Sequence, residues 1–265
     1  MISLSPIDLT ITSLLVVLLA ITSWRIGAGV ERKLLWAALR TTLQLLLIGW
    51  VLKALFTQSN PLWIALMASM MLLIAGREVM SRQQHSFRGI WGYGMGTLAM
   101  FVSSFSIALI ALQFIIRPDP WYQPQYAIPL LGMLLGNTMN GISLGLDRLT
   151  SSAWQQRHQI EAKLMLGFTA CEAMETLRKD AIRVGMIPMI NAMAAAGVIS
   201  LPGMMTGQIL AGAPPMEAVK YQILIMFLIT AGTGFGTMVA ISAGASRLFD
   251  ERERLRLDRL KRRSD

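Results

Sequence analysis

Apolar residues come in runs of about 20, the length a helix needs to cross a hydrocarbon layer of about 30 Å. Inside a bilayer, backbone amides and carbonyls find no water, so a spanning segment must be a helix or part of a closed barrel. The runs are too long and too uniformly apolar for barrel strands. The chain is therefore read as an all-α polytopic membrane protein, a single transmembrane domain over 1–265 with about seven spans: 8–23, 34–56, 61–75, 90–116, 126–146, 184–211 and 218–248. Composition agrees: 54% of residues are hydrophobic and 15% charged, against about 25% charged in a soluble domain.

The net charge of +9 has a topological explanation and does not point to nucleic acid. Twenty of the 24 Lys and Arg fall in the segments after spans one, three, five and seven, and only Lys53, Arg117 and Lys220 fall on the opposite side. By the positive-inside rule the N-terminus is outside and the C-terminus cytosolic. The first basic residue is Arg25, so the first run reads as a retained span rather than a secretory signal. The single cysteine, Cys171, excludes an internal disulfide.

One internal polar segment, 151–183, stands apart in length and charge. Residues 154–165 suit a short amphipathic helix, Gly167 a left-handed C-cap, and Thr169-Ala170-Cys171-Glu172 a capping box opening a second helix. Ala170, Ala173, Met174, Leu177 and Ala181 then share one face, and Glu175 faces Arg178 and Lys179 on the other. The segment reads as an arm for a cytosolic partner, built on Glu161, Lys163, Gly167, Phe168, Thr169 and Glu172; the alternative is an amphipathic pair on the bilayer surface. The tail, 249–265, mixes five acids with its basic residues and reads as a cytosolic helix rather than a lipid anchor.

Polar residues within spans mark the candidate translocation path. Arg40, with Gln44 one turn on, faces a cavity or snorkels to the interface. Asn137 and Asn140 share a face in span five and either bridge helices or line a route. In span six, Ser200-Leu201-Pro202-Gly203-Met204-Met205 must kink the helix, and broken helices at membrane depth are tolerated where they line a cavity. Met204 and Met205 offer thioethers to a soft metal, or simply fill space among 19 methionines. The G-x-x-x-G pairs at 92/96, 132/136, 141/145, 203/207 and 232/236 predict close helix packing or a homodimer. No G-x-x-x-x-G-K-[ST] loop is present and no catalytic arrangement is readable, so the chain reads as no enzyme, with no bound cofactor.

Ile128-Pro129 with Gly132-Met133 and Gly136-Asn137, Glu161-x-Lys163-Leu164 with Leu166-Gly167, and Arg178-x-x-x-Ile182-Arg183 with Ile187-Pro188 carry a family signature. So does Ser200-Leu201-Pro202-Gly203-Met204-Met205-x-Gly207 with Lys220-Tyr221-Gln222-Ile223. Together they resemble the FetB-like permeases, membrane subunits of a bacterial ABC system implicated in iron export. The resemblance implies a homodimeric subunit in the inner (cytoplasmic) membrane, driven by ATP that a separate cytosolic ATPase hydrolyses, and a role in metal homeostasis. It makes 151–183 the coupling arm. The family's plant relatives are linked to aluminium tolerance, which leaves open a non-metal substrate. From the residues alone, a gradient-driven secondary transporter and a non-transporting assembly protein remain the competing readings.

Overall fold

The structure, a computed structural model, describes residues 5–57 and 60–262. Its contacts divide the chain into two units, residues 1–59 and 60–265.

The first unit holds two helices. α1 (Pro6–Ile26) opens on a capping box, in which the Ser5 amide donates to Asp8 at 2.8 Å, and closes on Gly27 at φ 72°. α2 (Glu31–Thr57) leaves Leu43, Leu45, Leu46 and Leu47 exposed. In water such a helix would aggregate; in hydrocarbon these side chains are already in their preferred solvent.

The second unit holds α3 (Pro61–Ser81), α4 (Ile90–Ile116), α5 (Pro124–Gln155), α6 (Arg157–Met165), α7 (Ala170–Ala195), α8 (Gly203–Leu210) and α9 (Pro215–Arg247). α4 is wound as a π-helix at Phe101–Phe105 and Ala111–Ile116. α5, α7 and α9 form the centre, with α7 antiparallel to the other two. A Cβ on Gly185 would stand 2.7 Å from the Gly141 carbonyl oxygen and 2.7 Å from Thr237. One turn away, a Cβ on Gly145 would stand 2.6 Å from Ile241 and 3.2 Å from the Ala181 carbonyl oxygen. Gly236 meets Thr138 and Ser103 as closely. The small residues thus bring three backbones together, which in lipid replaces the missing hydrophobic drive. Gly203 and Gly207, by contrast, have open space beside them.

Among the described residues, six helices are long and apolar enough to cross a membrane. The expected span 184–211 is not one helix. α7 begins in the polar insert at Ala170 and ends at Ala195, and its charged first half keeps it from meeting that test. Its apolar half, about 18 Å long at 1.5 Å per residue, is followed by a break in which Gly197 takes φ 84° and Pro202 caps α8. Ala181 packs near Ile241, Gly185 near Thr237 and Met193 near Thr230, while Met205 on α8 shares a cavity with Gln222. α7 and α8 together therefore follow α9 along its length, which is what a broken span does.

The tail is not a helix. Among the described residues it makes a turn at Phe249–Leu255, a 3-10 turn at Leu257–Arg259 and a strand β2 (Leu260–Arg262), antiparallel to β1 (His85–Phe87). Leu248, Phe249 and Leu260 are buried, and the Arg259 guanidinium donates to the Arg247 and Phe249 carbonyls at 2.8 and 2.9 Å. These partners outweigh local helix propensity. Arg263, counted among the tail's basic residues, lies outside the described residues.

The central contact has a direct test. Gly185→Val forces its branched side chain into the Gly141 backbone, and overpacking of this kind costs about 1–3 kcal/mol. We expect a lower melting temperature in detergent, whereas Gly136→Ala, which faces open space, should leave it nearly unchanged.

Candidate functional site

Three places on the second unit gather the residues of interest. The first is the elbow between α6 and α7. Gly167 takes φ 90°, a conformation that a β-branched residue adopts only with strain. The capping box is complete: the Thr169 amide and hydroxyl each donate to Glu172 at 2.8 Å, and the Glu172 amide donates back to the Thr169 hydroxyl at 3.3 Å. These bonds hold the Glu172 carboxyl below its ordinary range. Lys163 sits in the last turn of α6, where its charge complements the helix C-terminus. At the tip Met165, Leu166 and Phe168 are exposed, Met165 at 83% and Leu166 at 78%. Met165 and Leu166 lie within the sequence-derived arm but were not among its expected contact residues; a helix C-cap flanked by apolar residues is the signal that marks them.

The arm is braced. Ala173, Met174, Leu177 and Ala181 are buried, as their spacing required. Arg148 on α5 pairs with Asp180 on α7 at 2.7 Å, and Glu175 pairs with Lys179. Glu161, Gly167 and Phe168 share a groove of about 610 Å³ with Arg252, Glu253 and Arg254 of the tail. Asp250 accepts the Arg252 and Arg254 amides at 3.0 Å each and the Arg254 guanidinium, which holds its carboxyl down to about 2.

The second place is a polar junction of α3, α5 and α7. Arg82 donates to Asn140 at 2.7 Å, and Asp147 accepts the Gln84 amide at 2.6 Å. Arg82, Asn140, Ser143, Asp147 and Pro188 line one cavity of about 280 Å³. Ser143 is buried there with no hydrogen-bond partner among the described residues. Pro188 cannot donate to the Val184 carbonyl, which loosens α7 at this level. Asn137 does not join the junction; its amide donates to the Met133 carbonyl of its own helix at 2.9 Å.

The third place is the helix break. A cavity of about 490 Å³ is lined by Pro202 and Met205, together with Met193, Gln222 and Met226. Ser200 bonds back to the Ala195 carbonyl at 3.4 Å. Ser200, Gly203 and Met204 do not line the cavity, so the expected Met204–Met205 pair is not brought together there. Arg40 and Gln44 are exposed on α2, in the first unit. Sequence reasoning missed Arg82, Asp147, Met193, Gln222 and Met226 as site residues. Gln222 and Met226, four apart in an apolar helix, were legible as a shared face.

This is the fold of a helical polytopic membrane protein with a braced polar insert and a broken helix. The family described as "Uncharacterised protein family (UPF0014)" matches residues 6–249, and the chain belongs to it. A relative from Synechocystis, the UPF0014 membrane protein slr1647, is 40% identical over 238 residues, 89% of this chain and 90% of its own length. The probable iron export permease protein FetB of Escherichia coli is 30% identical over 264 residues, 97% and 96% of the two chains. The protein ALUMINUM SENSITIVE 3 of Arabidopsis thaliana is 35% identical over 215 residues, 81% and 77% of the two chains. The resemblance read from residues 128–223 is thus upheld. No solved structure matches the chain.

Two outcomes check the arm's construction. Thr169→Ala removes the N-cap at a cost of about 1 kcal/mol, and we expect faster hydrogen exchange confined to the first turn of α7. The Asp250 carboxyl is depressed below its ordinary 3.8, so its contribution is full above that value and is lost as pH falls towards about 2. Protection of the Arg252 and Arg254 amides should fall over that window and be low at every pH in Asp250→Ala, which has no side-chain acceptor.

Proposed function

We propose that this chain is the permease subunit of an ABC transporter, with the α6–α7 elbow as its contact to a separate cytosolic ATPase. The observation that carries the reading is the elbow: a capped, braced turn that presents Met165, Leu166 and Phe168 to solvent. Exposed apolar side chains on a charged segment serve a partner surface. The split of Lys and Arg along the sequence favours a cytosolic insert and tail, with the N-terminus outside, and the bacterial inner membrane as location. Each cycle of a partner ATPase pushes on Glu161, Lys163, Gly167, Phe168, Thr169 and Glu172 and swings α7.

The direction is export and iron is the first cargo to test, because a relative spanning nearly the whole chain is named a probable iron export permease. A homodimer fits the G-x-x-x-G face at Gly203 and Gly207, beside which no described residue comes within 4 Å of an added Cβ. Asn140, Arg82 and Asp147 lie at the insert end of the route, and the break at Pro202 and Met205 lies towards the other end.

Proteoliposomes holding this chain and its ATPase test the reading. We expect ATP hydrolysis that rises with Fe²⁺ under anaerobic conditions. Gly167→Val should hold the complex but lose most of the iron response, and Leu166→Asp should release the ATPase. Iron efflux with no ATPase bound would overturn the proposal in favour of a gradient-driven carrier.

A further inference from the structure

The cavity at the helix break has a chemistry that its place in the fold does not require. Three of its eleven lining residues are methionines, Met193, Met205 and Met226, where the chain's 19 methionines in 265 residues would supply fewer than one by chance. They come from three different helices, α7, α8 and α9. Gln222, one turn before Met226, is 8% exposed, and its side-chain oxygen has no hydrogen-bond partner among the described residues. Packing methionines alone would not leave a buried amide oxygen unpaired, since such a group costs about 1–3 kcal/mol. The Thr230 hydroxyl donates to the Met226 carbonyl at 2.7 Å and stands 3.1 Å from the Met193 sulfur, which places a polar group beside that thioether.

Among the described residues, no charged side chain lines the cavity. A cation entering it gains no compensating carboxylate, so its own charge decides the penalty. The Born cost grows with the square of the charge, and a monovalent ion carries about a quarter of the cost of a divalent ion of equal radius. Neutral thioethers are soft ligands that select Cu(I)-like ions over hard, oxygen-seeking ones. Methionine side chains are flexible enough to converge on one ion across a cavity wider than the ion.

We infer that this cavity is a binding site for a soft monovalent cation of the Cu(I) and Ag(I) class, held by Met193, Met205 and Met226 with the Gln222 oxygen. The site is separate from the iron cargo named above, and its affinity for the ion does not rest on the permease reading. In that reading the site lies where α7 ends, so movement of α7 changes the distance between Met193 and the two methionines facing it.

The purified full chain in nanodiscs, titrated with Ag⁺ and, anaerobically, with Cu⁺ against a chromogenic chelator, tests the site. We expect one equivalent bound, weakened at least about tenfold when Met193, Met205 and Met226 are all changed to Leu, a volume-conserving exchange that should leave the melting temperature nearly unchanged. Gln222→Glu, which adds a charge in nearly the same shape, should tighten binding, and Cu K-edge absorption should report sulfur ligation that the triple variant lacks. No stoichiometric silver binding, equal binding by the triple Leu variant, or tighter binding of Fe²⁺ than of Ag⁺ at these residues would overturn the inference. ATPase association, measured on the same preparations, reads the permease proposal separately. A chain that binds the ATPase but no silver loses only this site, and one that binds silver but no ATPase keeps the site and loses the permease role.

Discussion

The second unit is organised around the approach of α7 to α5 and α9 at Gly141, Gly185 and Thr237. In hydrocarbon, apolar side chains gain nothing by leaving lipid for protein, so helices associate through close van der Waals contact and hydrogen bonds. The contact is available only because neither Gly141 nor Gly185 carries a side chain. Everything else that α7 does depends on it. The helix begins at the Thr169–Glu172 cap, outside the apolar region, and ends at the break beside the methionine cavity. At 1.5 Å per residue its 26 residues span about 39 Å. One continuous helix therefore joins the exposed elbow to the cavity wall, with a tight backbone contact near its middle.

That geometry says which parts can move. Towards the elbow, α7 is held by its buried face and by the Arg148–Asp180 pair. Just beyond Gly185, Pro188 removes one helical hydrogen bond. The polar junction of Arg82, Asn140, Ser143 and Asp147 lies beside that weak point. The helix then ends in a turn, with Gly197 at φ 84°, rather than in a packed helix. Stiffness is concentrated at the insert end and compliance at the cavity end. A push on the elbow would accordingly be passed to Met193 and Ala196 more than absorbed at Thr169.

Much of this was legible in the residues. Thr169-Ala170-Cys171-Glu172, Gly167 and the apolar spacing from Ala170 to Ala181 describe a local elbow, and local signals survive folding because their partners are a turn away. Pro202-Gly203 marked the break for the same reason. What the sequence did not reveal depends on contacts between distant segments. Asn140 reads as a bridging or lining residue until Arg82, 58 positions earlier, is found bonded to it. Met205 reads as half of a pair with Met204, its neighbour, because sequence adjacency hides that successive helical residues point about 100° apart. Its cavity neighbours, Met193 and Met226, come from other helices. The tail failed for the opposite reason: its charge pattern suits a helix, but Leu248, Phe249 and Leu260 find burial and β1 offers a strand to pair with.

The tail's folding changes what the insert is. A free charged tail would contribute only net charge near the membrane. Here Arg256 donates its amide to the Leu248 carbonyl at 2.7 Å, Arg88 donates its own to Arg259 at 2.8 Å, and β2 closes onto β1. The loop after α3, the end of α9 and the α6–α7 elbow are thereby gathered at one end of the unit. Each of these segments is short and polar, and none has a core of its own. Joined, they form a surface whose shape is set by backbone hydrogen bonds together with the burial of Phe87, Ile160, Leu248, Phe249 and Leu260. The exposed side chains of Met165 and Leu166 take no part in that burial or in the β1–β2 pairing. Under the permease proposal, that separation between the residues that hold the shape and the residues that make contact suits an insert that engages and releases an ATPase.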